Sequence, residues 1–394
     1  MIAKIKALAK EYNDEVIQIR RHIHQHPELS FKEFETSKFI QKQLTAWGVE
    51  FDTGYVNTGI IAFVKGKNPS SKVIALRADI DALPIQEENE FNFASINKGV
   101  MHACGHDVHT SSLLGAIKIL QSLKSEFNGT VKCLFQPAEE ILPGGASLMI
   151  EQGALENPKP DSILGQHVYP ELPVGKVGMK SGLYMASTDE LYVKVIGKGG
   201  HAALPHTVID PILITSHIIV ALQQIVSRSS KPDMPSVLSF GKVIAEGATN
   251  IIPDEVNLAG TFRTFDESWR SEAHEKMIKM ASSVAESMGG SCEFEVRKGY
   301  PYLVNDEVVT AQTKKSAIAY LGKENVVDLE LRMTAEDFAY YSQIMPGCFY
   351  RLGTATPGMQ TSGLHTSTFN PDERAIEQGM GLMSWLAIEQ LNQD

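Results

Sequence analysis

The chain has 394 residues, 43% of them apolar and 21% charged, with turn residues scattered along it, a composition that excludes disorder and low complexity and leaves room for two or three compact domains. A net charge of -11, with Lys and Arg dispersed singly, excludes nucleic acid and anionic membranes as the principal partner and favours a small solute. The four cysteines, Cys104, Cys133, Cys292 and Cys348, lie far apart with no export signal, so no disulfide framework is expected.

From Met1 to Val16, the residues Ile2, Ile5, Leu8, Ala9, Tyr12 and Val16 recur at helical spacing among Lys, Glu and Asp. That start has no apolar signal core and no later run approaches a membrane span, so a cytoplasmic protein is expected. Short β-branched runs then end in polar clusters. Val73 to Leu76 precedes Arg77-Ala-Asp79-Ile-Asp81, Val131 to Phe135 precedes Gln136-Pro-Ala-Glu139-Glu140, and Ile163-Leu164 precedes Gly165-Gln-His167. Val108 to Leu123 is helical in pattern, with Leu113, Leu114, Ile117 and Leu120 on one side. The alternation predicts an α/β domain, a mostly parallel sheet flanked by helices, with its site beyond the carboxyl ends of the strands.

The middle of the chain changes pattern. Leu191 to Ile196 alternates as a strand, Asp210 to Val226 is helical, Ser236 to Phe240 and Val256 to Phe262 are strands, Glu267 to Met288 is helical, and Cys292 to Val296 alternates again. This βαββαβ order predicts an inserted α+β, ferredoxin-like domain at 187–299, a four-stranded antiparallel sheet with two helices on one face. Residues 1–186 and 300–394 then form the outer domain. The tail reads as helices at Asp306 to Leu321, Ala335 to Ile344 and Asp372 to Leu391, with a short strand near Cys348 to Leu352.

The densest cluster of chemistry is His102-Ala-Cys104-Gly-His106-Asp107-Val-His109, because a thiolate and an imidazole two residues apart can converge on a borderline-soft cation. Cys104 and His106 are the candidate ligands; His102 and His109 either ligate, cap a helix or support a ligand from outside. Glu139-Glu140, at the end of an apolar strand, can divide metal binding from proton transfer. His167 and His365 are lone imidazoles after short apolar segments, and each alone reads as a satisfied structural histidine.

These segments come together as a resemblance over nearly the whole chain. Arg77-Ala-Asp-Ile-Asp-Ala-Leu-Pro84, His102-Ala-Cys-Gly-His-Asp107, Gln136-Pro-Ala-Glu-Glu140, Gly199-Gly-His-Ala-Ala203 with Pro205-His206, Asn250-Ile-Ile-Pro253, Glu336-Asp-Phe338 and Leu364-His365 resemble the ordered motifs of the aminoacylase and carboxypeptidase superfamily of two-metal amidohydrolases. The Cys-Gly-His form is similar to the branch of hippurate hydrolases, N-acyl-L-amino-acid amidohydrolases and auxin-conjugate amidohydrolases. The resemblance implies hydrolysis of the amide of an N-acyl amino acid, with two divalent metals, zinc or manganese foremost and nickel or cobalt as alternatives, held by Cys104, His106, Glu140, His167 and His365. Glu139 becomes the general base, and Asp81 orients a ligand or supports the base. Asp79 stands where other branches place a metal-binding histidine. The resemblance further implies a homodimer paired through the inserted domain, His201 donating to the developing oxyanion, and Asn250 and Arg263 meeting the substrate. N-Acetyl-diaminopimelate deacetylase and small-peptide hydrolase activities are the alternatives within the class, and a non-catalytic metal- or ligand-binding relative the alternative outside it. Gln166, Ile141-Leu-Pro143 and Thr366-Ser-Thr-Phe-Asn370 depart from the family's common sequence, which bears on the substrate rather than the reaction.

Overall fold

The computed structural model describes residues 1–358 and 362–393. The chain divides into two units, one of Met1–Tyr184, Val304–Leu331 and Asp337–Asp394, the other of Met185–Leu303 and Arg332–Glu336.

The outer unit is built on an eight-stranded sheet in the order Glu50–Tyr55, Gly59–Lys65, Thr130–Gln136, Val73–Asp79, Ser162–Pro173, Gly347–Ala355, Val177–Met179, Val326–Asp328. Val73–Asp79 runs parallel to both of its neighbours, and Gly347–Ala355 runs parallel to Ser162–Pro173; antiparallel pairs lie toward the edges. Both faces are covered. Ile60, Ala62 and Val64 enter the main core, which the helices Ile2–Gln25, His106–Ser122 and Arg374–Leu391 close, while Ile61 and Phe63 pack on Met149 and Ala154 across the sheet. That is why these strands are apolar throughout rather than alternating, and each such Val, Ile or Leu fully buried contributes about 1.5–3 kcal/mol.

Two sequence expectations need correcting here. The run Ile163-Leu164 does not stop before His167: the strand continues to Pro173, because parallel pairing with Gly347–Ala355 carries on through His167 opposite Arg351. The helical pattern of Ala335 to Ile344 yields only Ala339–Ser342. The Asp337 carboxylate is taken by Arg77 Nη2 (2.6 Å), Gln136 Nε2 (2.7 Å) and the Ala146 amide (3.0 Å), and this tie to the sheet ends outweighs local helical preference.

The inserted unit is a four-stranded sheet in the order Val237–Ile244, Glu255–Arg263, Asp189–Ile196, Ser291–Lys298, every pair antiparallel, with the helices Pro211–Gln224 and Glu267–Ser287 contributing to its core. This is the ferredoxin-like arrangement. Pro211 to Ser229 departs from expectation in another way: by length and composition it is apolar enough to cross a membrane. Its inward side, Pro211, Ile214, Ile218 and Leu222, is buried in the unit's own core, while Leu213 and Val220 stand 51% and 73% exposed.

Candidate metal centre

Cys104 and His106 flank Gly105, the N-cap of His106–Ser122, whose φ of 86° is left-handed. A Cβ on Gly105 would lie 2.5 Å from Val168 Cγ2, so only glycine makes this turn. The turn sets Cys104 Sγ 3.5 Å from Nε2 of His167 on the neighbouring strand. Glu139 and Glu140 follow Thr130–Gln136 through Ala138, itself left-handed at φ 53°. His365 is also left-handed, at φ 60°, and its amide donates to the Ala103 carbonyl at 2.8 Å, which pins it beside Cys104.

The hydrogen bonds around the imidazoles decide which nitrogen is free. His106 Nδ1 lies 2.9 Å from the Asp81 carbonyl oxygen and 3.2 Å from Asp81 Oδ1, both acceptors, so Nδ1 carries the proton and Nε2 presents its lone pair. His167 Nδ1 donates to the Val168 carbonyl at 2.7 Å, leaving Nε2 toward Cys104. His106 Nε2 and Glu140 Oε1 are buried with no hydrogen-bond partner among the described residues, and His365 Nε2 lies 3.3 Å from that Glu140 oxygen without being aligned on it. Buried polar atoms left in this condition are costly unless something is bound.

Among the described residues five groups of donor atoms lie within 4.8 Å of one another: Cys104, His106 and His167; Cys104, Glu140 and His365; His106, Glu139 and Glu140; Asp79, His106 and His109; and Glu139, Glu336 and Asp337. Cys104 is common to the first two. Thiolate, imidazole and carboxylate donors with uncommitted lone pairs fit divalent cations such as zinc, cobalt, nickel or manganese. The local field agrees. Cys104 and Glu140 push the His365 imidazole up to about 10, and Asp79 and Cys104, against the cost of burial, hold His106 well above the usual histidine range. A metal cation would compete with those protons for the same nitrogens.

The remaining predicted residues of the outer unit are all near the cluster, in different capacities. Asp81 accepts from His106 and, through Oδ2, from the Glu140 amide (3.1 Å) and Ser30 Oγ (2.6 Å), so it orients one donor and holds the backbone of another. His109 is fully committed: Nε2 accepts from the Val168 amide at 2.8 Å, which leaves the proton on Nδ1, 2.5 Å from Asp79 Oδ1. That geometry makes it a support rather than a ligand. Asp79 spends its other oxygen on Arg77 Nη1 at 2.6 Å and lies 3.8 Å from His106 Nε2. Burial and the nearby cations act oppositely on Asp79, and His106, His109 and Arg77 prevail, holding it well below the usual carboxylate range. His102 is buried with both ring nitrogens unpartnered among the described residues, and burial lowers it to about 3.

Several residues that build this centre carry no local signal. Arg77 bridges Asp79 and Asp337 and donates from Nε to Gln136 at 2.9 Å; a lone arginine inside the apolar run Val73 to Ala78 was the available clue. Arg20 and His24 of the first helix hold Asp107 at 2.7 and 2.8 Å, behind the Cys-Gly-His turn, and nothing in the amphipathic pattern of that helix announces it.

In the inserted unit, the short pairing of Gly200–His201 with Ile251–Ile252 brings two further predicted residues together: the Ala202 amide donates to the Asn250 carbonyl at 3.0 Å, and both His201 and Asn250 are exposed. Arg263, half-buried, donates from Nη1 to the Met333 carbonyl at 2.9 Å.

Comparison with known proteins agrees with this construction. Residues 75–389 match Peptidase family M20/M25/M40. The chain is 41% identical to N-acetyl-L-cysteine deacetylase of Bacillus subtilis (strain 168) over 92% of its own length and 85% of that protein. It is 44% identical to N-acyl-L-amino acid amidohydrolase of Geobacillus stearothermophilus over 77% of its length and 81% of that protein. A Bacillus subtilis protein described from its crystal structure as a dinuclear metal binding peptidase of the M20 family superposes with a TM-score of 0.84 at 37% identity, covering 98% of this chain and 100% of that one. The chain therefore belongs to peptidase family M20/M25/M40 and is a metal-dependent amidohydrolase.

Proposed function

We propose that the protein hydrolyses the amide bond of N-acyl amino acids bearing a small acyl group, with Glu139 as general base and Cys104, His106, Glu140, His167 and His365 as ligands of two divalent metals. The observation that carries this reading is the Cys104 thiol shared by two donor groups, one completed by His106 and His167, the other by Glu140 and His365. Divalent ions held by these residues would supply acidification of water and stabilisation of the charge that develops on the carbonyl oxygen. Glu139, buried and adjacent to the ligand Glu140, takes a proton from the attacking water and returns it to the departing amine. The Asp337 amide, 3.4 Å from Glu139 Oε1, holds the carboxylate in place, and Asp81 holds the His106 ring.

The same reading gives the inserted unit two tasks. His201 donates to the oxyanion and Asn250 meets the substrate's amide; their closeness on one ribbon supports a joint role. Arg263 meets the substrate carboxylate through N–H groups other than the Nη1 that donates to Met333. A homodimer forms through this unit, a role that suits the exposed Ile212, Leu213 and Val220 of its first helix.

The test is reconstitution of chelated protein with zinc, manganese, nickel or cobalt, followed by assay of amine release from N-acetyl amino acids, hippurate, indole-acetyl amino acids and N-acetyl-diaminopimelate. Metal-dependent turnover of N-acyl amino acids is expected. Turnover confined to N-acetyl-diaminopimelate or to small peptides would move the substrate to those classes, and metal-independent turnover would overturn the mechanism.

A further inference from the structure

Glu33 lies more than a hundred residues before the Glu pair, at the N-cap of the helix Phe34–Ala46, and its side chain is buried. It does not cap its own helix. Instead Oε1 accepts the amides of Phe31 and Ala138, each at 2.9 Å, and Oε2 accepts the Thr58 hydroxyl at 2.8 Å. Phe31 and Ala138 are both left-handed, at φ 65° and 53°, a conformation that side-chain-bearing residues adopt only when their surroundings impose it. One carboxylate oxygen thus clamps two strained residues.

The clamp sits where it bears on the chemistry. Ala138 immediately precedes Glu139, and its carbonyl is held from the other side by the Gly145 amide at 2.8 Å. A Cβ on Gly145 would lie 1.8 Å from the Pro137 carbonyl oxygen, so the turn is closed tightly. The Glu140 amide is tied to Asp81 at 3.1 Å. Of these backbone anchors around Glu139, Gly145 closes the turn locally, while Glu33 and Asp81 come from distant parts of the chain. An apolar side chain would be cheaper to bury at position 33: burial and the neighbouring Asp81 push the Glu33 carboxyl up to about 7 even with its donors in place.

We infer that Glu33 is a positioning residue for the reaction, holding Ala138 in its left-handed conformation so that the Glu139 carboxylate is aimed at the attacking water. This rests on Glu139 being the base. Glu33 belongs to none of the donor groups and spends its oxygens on Phe31, Ala138 and Thr58, so its loss is expected to lower kcat while leaving metal content and KM in place.

Glu33→Leu removes the acceptor and keeps water out; in purified enzyme loaded with two metals, kcat falls by about 10–100-fold, the scale on which small misplacements of a reacting group act. Glu33→Gln retains one oxygen for both amides and can donate from its amide nitrogen to the Thr58 hydroxyl, so kcat stays within a few-fold of wild type. In the Glu33→Leu background Ala138→Gly recovers most of the lost kcat, because glycine takes a positive φ without being clamped. Glu33→Asp, too short to reach both amides, replaces Glu33→Leu in this series if the latter does not fold. Glu139→Gln is measured alongside. If Glu139→Gln is inactive while Glu33→Leu loses only thermal stability and keeps its kcat per metal-loaded chain, or if Ala138→Gly rescues nothing, the inference is overturned and the base stands. Turnover surviving in Glu139→Gln overturns the base and the inference together.

Discussion

The two units each bury a constellation of histidine, carboxylate and arginine, and they use it in opposite ways. In the inserted unit, Asp189 Oδ1 accepts from Arg270 Nη2 (2.6 Å) and the Gly299 amide (3.2 Å), and Oδ2 from His274 Nε2 (2.6 Å) and Arg270 Nε (3.0 Å). Arg270 spends its remaining donors on Glu267 at 2.9 Å and the Thr188 carbonyl at 2.9 Å. The network is saturated, and it ties the strand Asp189–Ile196 to the helix Glu267–Ser287. In the outer unit Arg77, Asp79, His109 and Asp337 form a comparably saturated base, but on top of it His106 Nε2 and Glu140 Oε1 are left without partners among the described residues. Composition is nearly the same in both places. What separates a structural ion network from a metal-binding one is whether lone pairs remain uncommitted after the protein has made all its own hydrogen bonds.

The comparison is most exposed at Glu139. Glu139→Gln keeps both metals and the fold but lowers kcat by about 10²–10⁴, the effect of losing a general base. Metal analysis and kinetics on one sample decide the matter, and a kcat close to wild type would pass the role to another carboxylate.

His201 tests whether the inserted unit is more than a scaffold. If its imidazole makes a hydrogen bond realised mainly in the transition state, His201→Ala lowers kcat by about 10²–10³ at unchanged metal content. If that bond crosses a dimer, a heterodimer of one Glu139→Gln and one His201→Ala subunit regains activity, since one of its two sites has both groups intact. A verified heterodimer that stays inactive confines His201 to its own chain.

Cys104→Ser tests the sharing of one thiol between two donor groups. A hydroxyl is a poor substitute for a thiolate, and because Sγ belongs to both groups the loss should exceed the roughly 10–100-fold in metal affinity that follows removal of an outer support. Titration of apo protein with zinc shows it. Two sites filling at wild-type affinity would return Cys104 to the core.

Asp189→Asn is expected to leave kcat per folded chain unchanged and to act on stability alone, lowering it by up to about 3–5 kcal/mol at pH 7, because Arg270 then loses its buried counter-charge and keeps only the partly exposed Glu267. Burial opposes ionisation of Asp189, but hydrogen bonds from His274 and Arg270 hold its carboxyl below the usual range. The stabilisation is therefore present above the unfolded carboxylate pKa of about 3.9 and lost as pH falls through the lower folded value. Urea unfolding at pH 7 and pH 3 should show the gap between wild type and variant narrowing in acid; an equal gap at both would mean the carboxylate's charge contributes nothing.

Much of this was legible in the chain itself. Periodicity marked the inserted βαββαβ unit because each of its strands alternates against a single buried face. It failed at Ser162–Pro173, where a strand buried on both faces gives no alternation and its polar residues Gln166 and His167 read as a stop. It failed again at Ala335 to Ile344, where a helical pattern was outweighed by the ties of Asp337 to Arg77, Gln136 and Ala146.

For the site, sequence alone determined what covalent neighbourhood determines: Cys104 and His106 two residues apart, and Glu139 beside Glu140 at the end of an apolar strand. Spacing along a chain cannot say which ring nitrogen is free, because that depends on acceptors brought from elsewhere: the Asp81 carbonyl for His106, the Val168 carbonyl for His167, and the Val168 amide that removes His109 from the ligands. Only the tertiary structure could place Glu33 under Ala138 or make Cys104 common to two donor groups, since those relations join separate segments of the chain whose meeting is decided by sheet order and core packing.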